Sequence, residues 1–187
     1  MQKNLYIVRH CKATGQSPES PLTEIGFVQA DHLNDYFQGI TIDRIVSSPY
    51  LRAVQTVEPI SLNKEIPIEI DERLSERVLS TKDLPDWMPK LKETFIDLDA
   101  KFEGGESSHE AMQRITNVVN ELVESHVENS LIVSHGNIIS LLLKNYNPEF
   151  DFDGWKTMSN PDVFKVTLYE EDRFTMERIW DEGRSYD

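Results

Sequence analysis

Cysteine is nearly absent from this chain: Cys11 is the sole example. A lone thiol closes no intrachain disulfide, which excludes a stapled secreted domain and favours a reducing compartment. Long apolar runs are absent too. The opening MQKNLYIVRH holds only Leu5 to Val8 before Arg9 interrupts it, too short for a signal-peptide core or a membrane span. A cytoplasmic protein is expected. Bases are scarce, 19 Lys and Arg against 33 Asp and Glu, for a net charge of −14. That balance argues against nucleic acid, which needs a basic face, and against an anionic membrane surface. It does not forbid an anionic small substrate, because a pocket's sign is set locally. His-x-His, His-Glu-x-x-His and paired-Cys spacings are missing, so no metal site is expected. Gly104-Gly105 lacks the following Lys of a Walker loop and the spacing of a dinucleotide loop.

What is present suits one globular domain. The 187 residues match the usual length of a single domain, here taken as 1–187 with no dividing linker. Short β-branched runs alternate with amphipathic stretches. Leu5–Val8, Arg44–Ser47, Ile66–Ile70 and Leu131–Val133 read as strands. A helix is expected from Thr23, its N-cap, to Phe37, with Ile25, Val28, His32, Leu33, Tyr36 and Phe37 near one face. A second runs from Leu51 to about Ile60, where Pro59 disturbs it. Asp71–Gly105 is the least regular stretch, a loop with a short helix. Ser107 to Glu110 fits a capping box before the apolar series Ala111, Met112, Ile115, Val118, Val119, Leu122 and Val123. Ile138–Lys144 is a further helix, and Val163–Tyr169 with Phe174–Trp180 form a hairpin across Glu170–Arg173. This alternation implies an α/β fold, a mostly parallel sheet with helices on both faces.

Ligands of a parallel sheet bind beyond the carboxyl ends of its strands. There the sequence places Arg9-His10, then Ser47-Ser48-Pro49 with Arg52 shortly after, then Ser134-His135-Gly136. A single Arg or His at a strand end is ordinarily a surface or capping residue. Two of each at one edge suit a phosphoryl dianion. Arg presents a planar fork to its oxygens, and neutral His is a nucleophile toward phosphorus. Helix N-termini after Arg52 and Gly136 are expected to aim N–H groups at the same anion. Spacing alone indicates an anion site without establishing catalysis.

Leu5-Tyr6-Ile7-Val8-Arg9-His10 resembles the strand and Arg-His signature of the histidine phosphatase superfamily, the group that contains cofactor-dependent phosphoglycerate mutase. Pro21 to Ala30, Ser47 to Thr56, Arg73 to Arg77, Gly104 to Ser107 and Val133 to Gly136 are similar to further family motifs in the same order. The resemblance covers about residues 4 to 142. It implies a three-layer α/β/α fold of the phosphoglycerate mutase type, with a lid-like insertion at about 74–103. It also implies roles. His10 would take the phosphoryl group as phosphohistidine. Arg9, Arg52 and His135 would hold its oxygens, with Gly136 contributing to phosphate binding. Glu76 would protonate the leaving alkoxide and then activate water. Neither metal nor other cofactor would be needed. Flanking arginines would keep His10 neutral, and desolvation near a bound anion would favour a protonated Glu76.

The departures are local. Cys11 stands where the family usually has Gly, either as a small buried residue or as an oxidation-sensitive brake. Ala13 replaces a common Thr, leaving Thr14 one position late. Lys12 reads as an exposed lysine or added charge at the mouth. Ser48 reads as a hydrogen-bond donor to the site or a cap of the next helix. Glu72 rivals Glu76 as the acid, and Glu106 either orients the site or favours its own helix start. Trp87, Met88 and Phe95 read either as a lid or as core. His32, His109 and His126 read as surface or capping residues. Only 27 residues, Arg77 to Glu103, follow the acid segment before Gly104, whereas family mutases carry a longer cover that excludes water. The expected activity is therefore hydrolysis of a small phosphorylated metabolite. Phosphoglycerate mutase-type transfer and a non-catalytic phosphate-binding regulatory module are the alternatives. A protein phosphohistidine phosphatase fits less well, because a P–N bond needs little help from an acid. The oligomeric state is not readable.

Overall fold

The computed structural model describes residues 2–169 and 173–180. β1 (Lys3–Arg9), β2 (Arg44–Ser47) and β4 (Asn129–Ser134) form the buried centre of a sheet. β3 (Ile68–Ile70) and the hairpin β5 (Asp162–Leu168) and β6 (Phe174–Arg178) complete it. The order is β3-β2-β4-β1-β5-β6. The first four strands run parallel and the hairpin antiparallel. Central strands are apolar on both faces, as a sheet covered on both sides requires. The edge strands β3 and β6 are mostly exposed.

Side-chain alternation along β1 divides the core. Leu5 and Ile7 pack with α4 (Ser108–Glu124) and α5 (Gly136–Tyr146). Tyr6 and Val8 pack with α1 (Glu24–Phe37) and α2 (Leu51–Lys64). A third cluster, Leu91, Phe95, Ala111, Leu141 and Phe152, holds α3 (Trp87–Ile96) and α6 (Phe152–Lys156) against α4 and α5.

The local signals mostly hold. Thr23 caps α1 by accepting the Gly26 N–H, and Ser107 and Glu110 make a reciprocal capping box on α4, worth about 0.5–2 kcal/mol. Three expectations are corrected. The buried stripe of α1 is Gly26, Gln29, Ala30, Leu33 and Phe37. Ile25 and Val28, expected inside, are 49% and 45% exposed. Gly26 sets this rotation, because a Cβ there would lie 2.1 Å from the Lys12 carbonyl oxygen, so the helix can approach the first loop only along that stripe. Pro59 does not end α2, which continues to Lys64. Burial of Val57 and Ile60 on either side of it offsets the one helical hydrogen bond that proline removes. Finally, the one-turn α6 carried no periodic signal. Of the turn expected at Glu170–Arg173, residues 170–172 lie outside the described residues. Among the described residues no helix is long and apolar enough to cross a membrane.

Candidate active site

The parallel register places Arg9 beside Ser134 and Ser47 beside Val133. Arg9-His10, Ser48 and His135 therefore leave their strands at one edge. The His10 and His135 rings lie 5.1 Å apart between centroids. His10 is fixed in one tautomer. Its Nδ1–H donates to the Cys11 carbonyl at 2.7 Å, and its Nε2 accepts Arg52 Nε–H at 3.2 Å. Nε2 therefore carries the lone pair. Burial, with the Arg52 and Arg9 charges, pushes the His10 pKa down to about 3 despite the opposing Cys11 bond.

Arg52 is 1% exposed, in the first turn of α2. Its Nη1 donates to the Gln16 and Ser17 carbonyls, and its guanidinium lies 4.9 Å from the Tyr50 ring centroid. Arg9 Nη1 donates to the Met158 carbonyl, while its buried Nε has no partner within the protein. Burial lowers both arginine pKa values, and the Glu76 charge opposes this at each. Glu76 thus acts on both guanidiniums from within the same site.

His135 is fully buried. Its Nε2 lies 2.7 Å from Ser48 Oγ, which already accepts the Tyr50 N–H. The other ring nitrogen, Nδ1, has no partner within the protein. Burial, with the Arg52, Arg114 and Arg9 charges, holds this ring neutral. Gly136 provides clearance: a Cβ there would lie 3.0 Å from Arg9 Nε and Cζ.

Glu76 is held differently. Its Oε1 accepts the Arg77 and Ile138 N–H groups and its Oε2 the Asn137 N–H at 3.1 Å. This corrects the expected anion-binding helix ends. The α5 N–H groups of Asn137 and Ile138 face a carboxylate of the chain itself. No helix begins after Arg52 either, since α2 starts at Leu51, whose N–H is taken by the Pro18 carbonyl.

Several open readings now close. Cys11 packs among the apolar residues between the sheet and α1 and α2, and burial pushes its thiol up to about 12. Such a thiol is inert, so the oxidation-sensitive brake does not hold. Thr14 is exposed and bonds the Pro21 carbonyl. Ser48 bonds His135 and the Tyr50 N–H and does not cap α2. Lys12 and Glu72 are exposed. Phe95 is core, while Trp87 and Met88 are 46% and 39% exposed. His109 pairs with Asp99 at the surface, and His126 is exposed.

Sequence reasoning missed what holds the Glu76 loop. Arg114 Nη1 donates to the Arg73 and Ser75 carbonyls, while its Nε and Nη2 grip Glu106. Arg77, 6% exposed, ties the loop to Thr94 and to the Glu106 carbonyl. An arginine within an apolar helical repeat is the only trace Arg114 leaves in the sequence. Tyr50, against His135 at 4.8 Å, and Asn160, whose amide donates to the His10 carbonyl, were also missed. Among the described residues no three His, Cys, Asp or Glu side chains cluster closely enough to hold a metal ion.

Residues 5–182 match the histidine phosphatase superfamily, branch 1. The chain belongs to that superfamily. A relative from Hydrogenobacter thermophilus, provisionally named phosphoserine phosphatase 2, is 30% identical over 156 residues, covering 75% of this chain and 77% of its own. Adenosylcobalamin/alpha-ribazole phosphatase of Escherichia coli K12 is 26% identical over 161 residues, covering 74% and 76%. Among solved structures, mycobacterial glucosyl-3-phosphoglycerate phosphatase superposes with a TM-score of 0.78 at 21% identity, covering 95% of this chain and 98% of that one. The likeness fixes the fold, a mostly parallel α/β sheet of the phosphoglycerate mutase type. Membership and these relatives make the chain a phosphatase of the histidine phosphatase superfamily.

Proposed function

We propose that this histidine phosphatase hydrolyses a small phosphomonoester through a phosphohistidine on His10, without a metal. The observation that carries the reading is the set of polar atoms left over at one point. His10 is neutral with its lone pair on Nε2, and the buried His135 Nδ1 and Arg9 Nε have no partner within the protein. A buried unpaired donor costs about 1–3 kcal/mol, and a phosphoryl oxygen repays that cost at Arg9 Nε and, with the ring proton on Nδ1, at His135.

In the first step the Nε2 lone pair forms a bond to phosphorus as the ester P–O bond breaks. Arg52 passes its Nε–H from the ring nitrogen to a phosphoryl oxygen, and Arg9 and His135 hold the others. The departing oxygen takes a proton from Glu76. Oε2, with one N–H contact against two on Oε1, is the oxygen with room to carry that proton. In the second step the Glu76 carboxylate takes a proton from water, the water oxygen bonds to phosphorus, and the P–N bond breaks. Inorganic phosphate leaves and His10 is neutral again. The segment at about 74–103 forms the cover over the leaving group and is short enough to admit water.

The deciding experiment is p-nitrophenyl phosphate hydrolysis in EDTA from pH 5 to 8, wild type beside His10→Ala, with acid-resistant trapping avoided in favour of an alkaline quench that preserves phosphohistidine. Turnover by wild type alone, undiminished by chelator and with label on the protein, is expected. Equal release by both proteins removes His10 from the mechanism. No release by wild type, with phosphate still bound, replaces hydrolysis by transfer or by mere binding.

A further inference from the structure

A fully buried carboxylate that the mechanism does not use stands beside the Arg9 strand end. Asp162 opens β5 directly across from Arg9 and has no exposed surface. On this face of the strand it continues the row of Val166 and Phe164, which is apolar core. Its Oδ1 accepts Arg178 Nε–H at 2.9 Å and the Val163 N–H. Its Oδ2 lies 2.8 Å from Arg178 Nη2 and accepts the Ser159 N–H. Arg178, exposed on the edge strand β6, also donates from Nη2 to the Thr157 carbonyl. The fork between the two side chains therefore closes the turn at 157–162. That turn reaches the site at several points. Its Met158 carbonyl takes Arg9 Nη1 at 2.8 Å, and its Asn160 amide donates to the His10 carbonyl at 2.7 Å. The Asn160 carbonyl takes Gln29 Nε2, whose own Oε1 takes the Lys12 N–H. The Arg9 guanidinium and the backbone that follows His10 thus rest on one turn.

A buried ion pair is a weak source of stability, because well-packed apolar residues in its place often do as well. Burial raises the Asp162 carboxyl above its ordinary range, against the pull of Arg178. The carboxylate is thus costly to keep in a row of apolar neighbours. We propose that Asp162 and Arg178 are positioning residues: their fork fixes the turn so that the Met158 carbonyl holds Arg9 by Nη1 and leaves its Nε to a phosphoryl oxygen. A planar guanidinium anchored at Nη1 cannot rotate without losing that bond. Arg178 has a second use. The Asp162 charge already acts on Arg9, and without a cation of its own this carboxylate would compete with phosphate for that guanidinium. The inference rests on the phosphomonoesterase reading above only in taking Arg9 as a phosphoryl ligand.

The test reads the Kd of inorganic phosphate by titration calorimetry, which needs no turnover, beside kcat and KM on p-nitrophenyl phosphate and urea melts. Arg178→Met, a change at the surface, is expected to raise the phosphate Kd and the KM about 10-fold and to leave kcat within about 3-fold, the pattern of a contact made alike in ground and transition states. Arg178→Lys, which keeps the charge without the fork, falls between. Asp162→Asn sets an NH2 group against donors that now meet an oxygen, and raises the Kd about 10-fold as well. The control is Arg44→Met, which breaks the same kind of fork with Glu69 on β2 and β3; it lowers stability slightly and leaves the Kd within about 2-fold. Two outcomes would overturn the proposal. One is a Kd unchanged in Arg178→Met and Asp162→Asn while their melts shift, which marks a structural pair only. The other is a Kd that falls in Asp162→Asn, which marks a charge opposing phosphate rather than a positioning group. Phosphate binding without turnover in wild type strikes the hydrolytic mechanism instead, and the Kd comparison still decides this proposal. A wild type that binds no phosphate overturns both.

Discussion

The two halves of the site are built by different means. The side proposed to hold the phosphoryl group, Arg9, His10, Arg52 and His135, follows three neighbouring strands whose pairing is backbone geometry, and all but the half-buried Arg9 are buried. The proposed leaving-group side hangs on Glu76, in a loop after the 3-10 turn Glu72–Leu74. That loop has no sheet partner and is held by side chains reaching backbone: Arg114 to two carbonyls, Arg77 to one, and Glu76 to α5. A rigid charge cradle needs only to exist in place. An acid that gives and retakes a proton needs a position that small side-chain changes can tune. In the proposed reaction the first half answers to the phosphoryl group common to all substrates, the second to the alcohol that differs between them.

The largest expected effect breaks the phosphoryl half outright. His10→Ala lowers kcat on p-nitrophenyl phosphate by at least about 10⁴-fold, and Arg52→Ala by about 10²–10³-fold. Steady-state phosphate release checks both. Glu76→Gln separates the halves. It costs about 10²–10⁴-fold on alkyl phosphates, whose alkoxide needs a proton, and under 10-fold on p-nitrophenyl phosphate, whose phenolate leaves unaided. Equal losses on the two substrates would contradict the division. Arg114→Met, which frees the Glu76 loop without touching the histidines, is expected to lower alkyl phosphate turnover about 10-fold and stability by about 1–3 kcal/mol in urea melts.

The smallest effect is in pH. In the unfolded chain His10 takes up a proton near its ordinary 6.5, but the native state refuses it until about 3. The unfolded state therefore binds more protons between those values. The stability this ring contributes is complete above pH 6.5 and is lost as pH falls toward 3, at about 1.4 kcal/mol per pH unit. His135, also held well below 6.5 by burial, adds the same sign. His10→Asn should flatten the decline of stability between pH 6 and 4 by about that slope, read by urea melts across pH.

The same contrast explains what the sequence disclosed. Strand ends followed by Arg-His and Ser-His-Gly are local patterns, and a parallel sheet brings such ends together whatever lies between. The gathering of Arg9, His10 and His135 at one edge was therefore legible, as were the capping box at Ser107 and the limits of β2. Glu76 was found only by resemblance, since no periodicity marks it. Arg114 and Asn160 act through contacts set by packing of distant segments, so composition and spacing do not carry them. The misassigned face of α1 has the same origin. Ile25 and Val28 satisfy a hydrophobic period, but the close approach of Gly26 to Lys12 chooses another.

Cys11 follows the nucleophile in sequence, lies sealed in the core and bonds through its backbone to both His10 and Thr56. Because no other thiol exists in the chain, an alkylating reagent has a single target and reaches it only when the packing between sheet and α1 and α2 opens. The rate of alkylation is then a clock on that opening event, and its slowing by phosphate reports, without any assay of turnover, how firmly an occupied cradle clamps the strands that carry it.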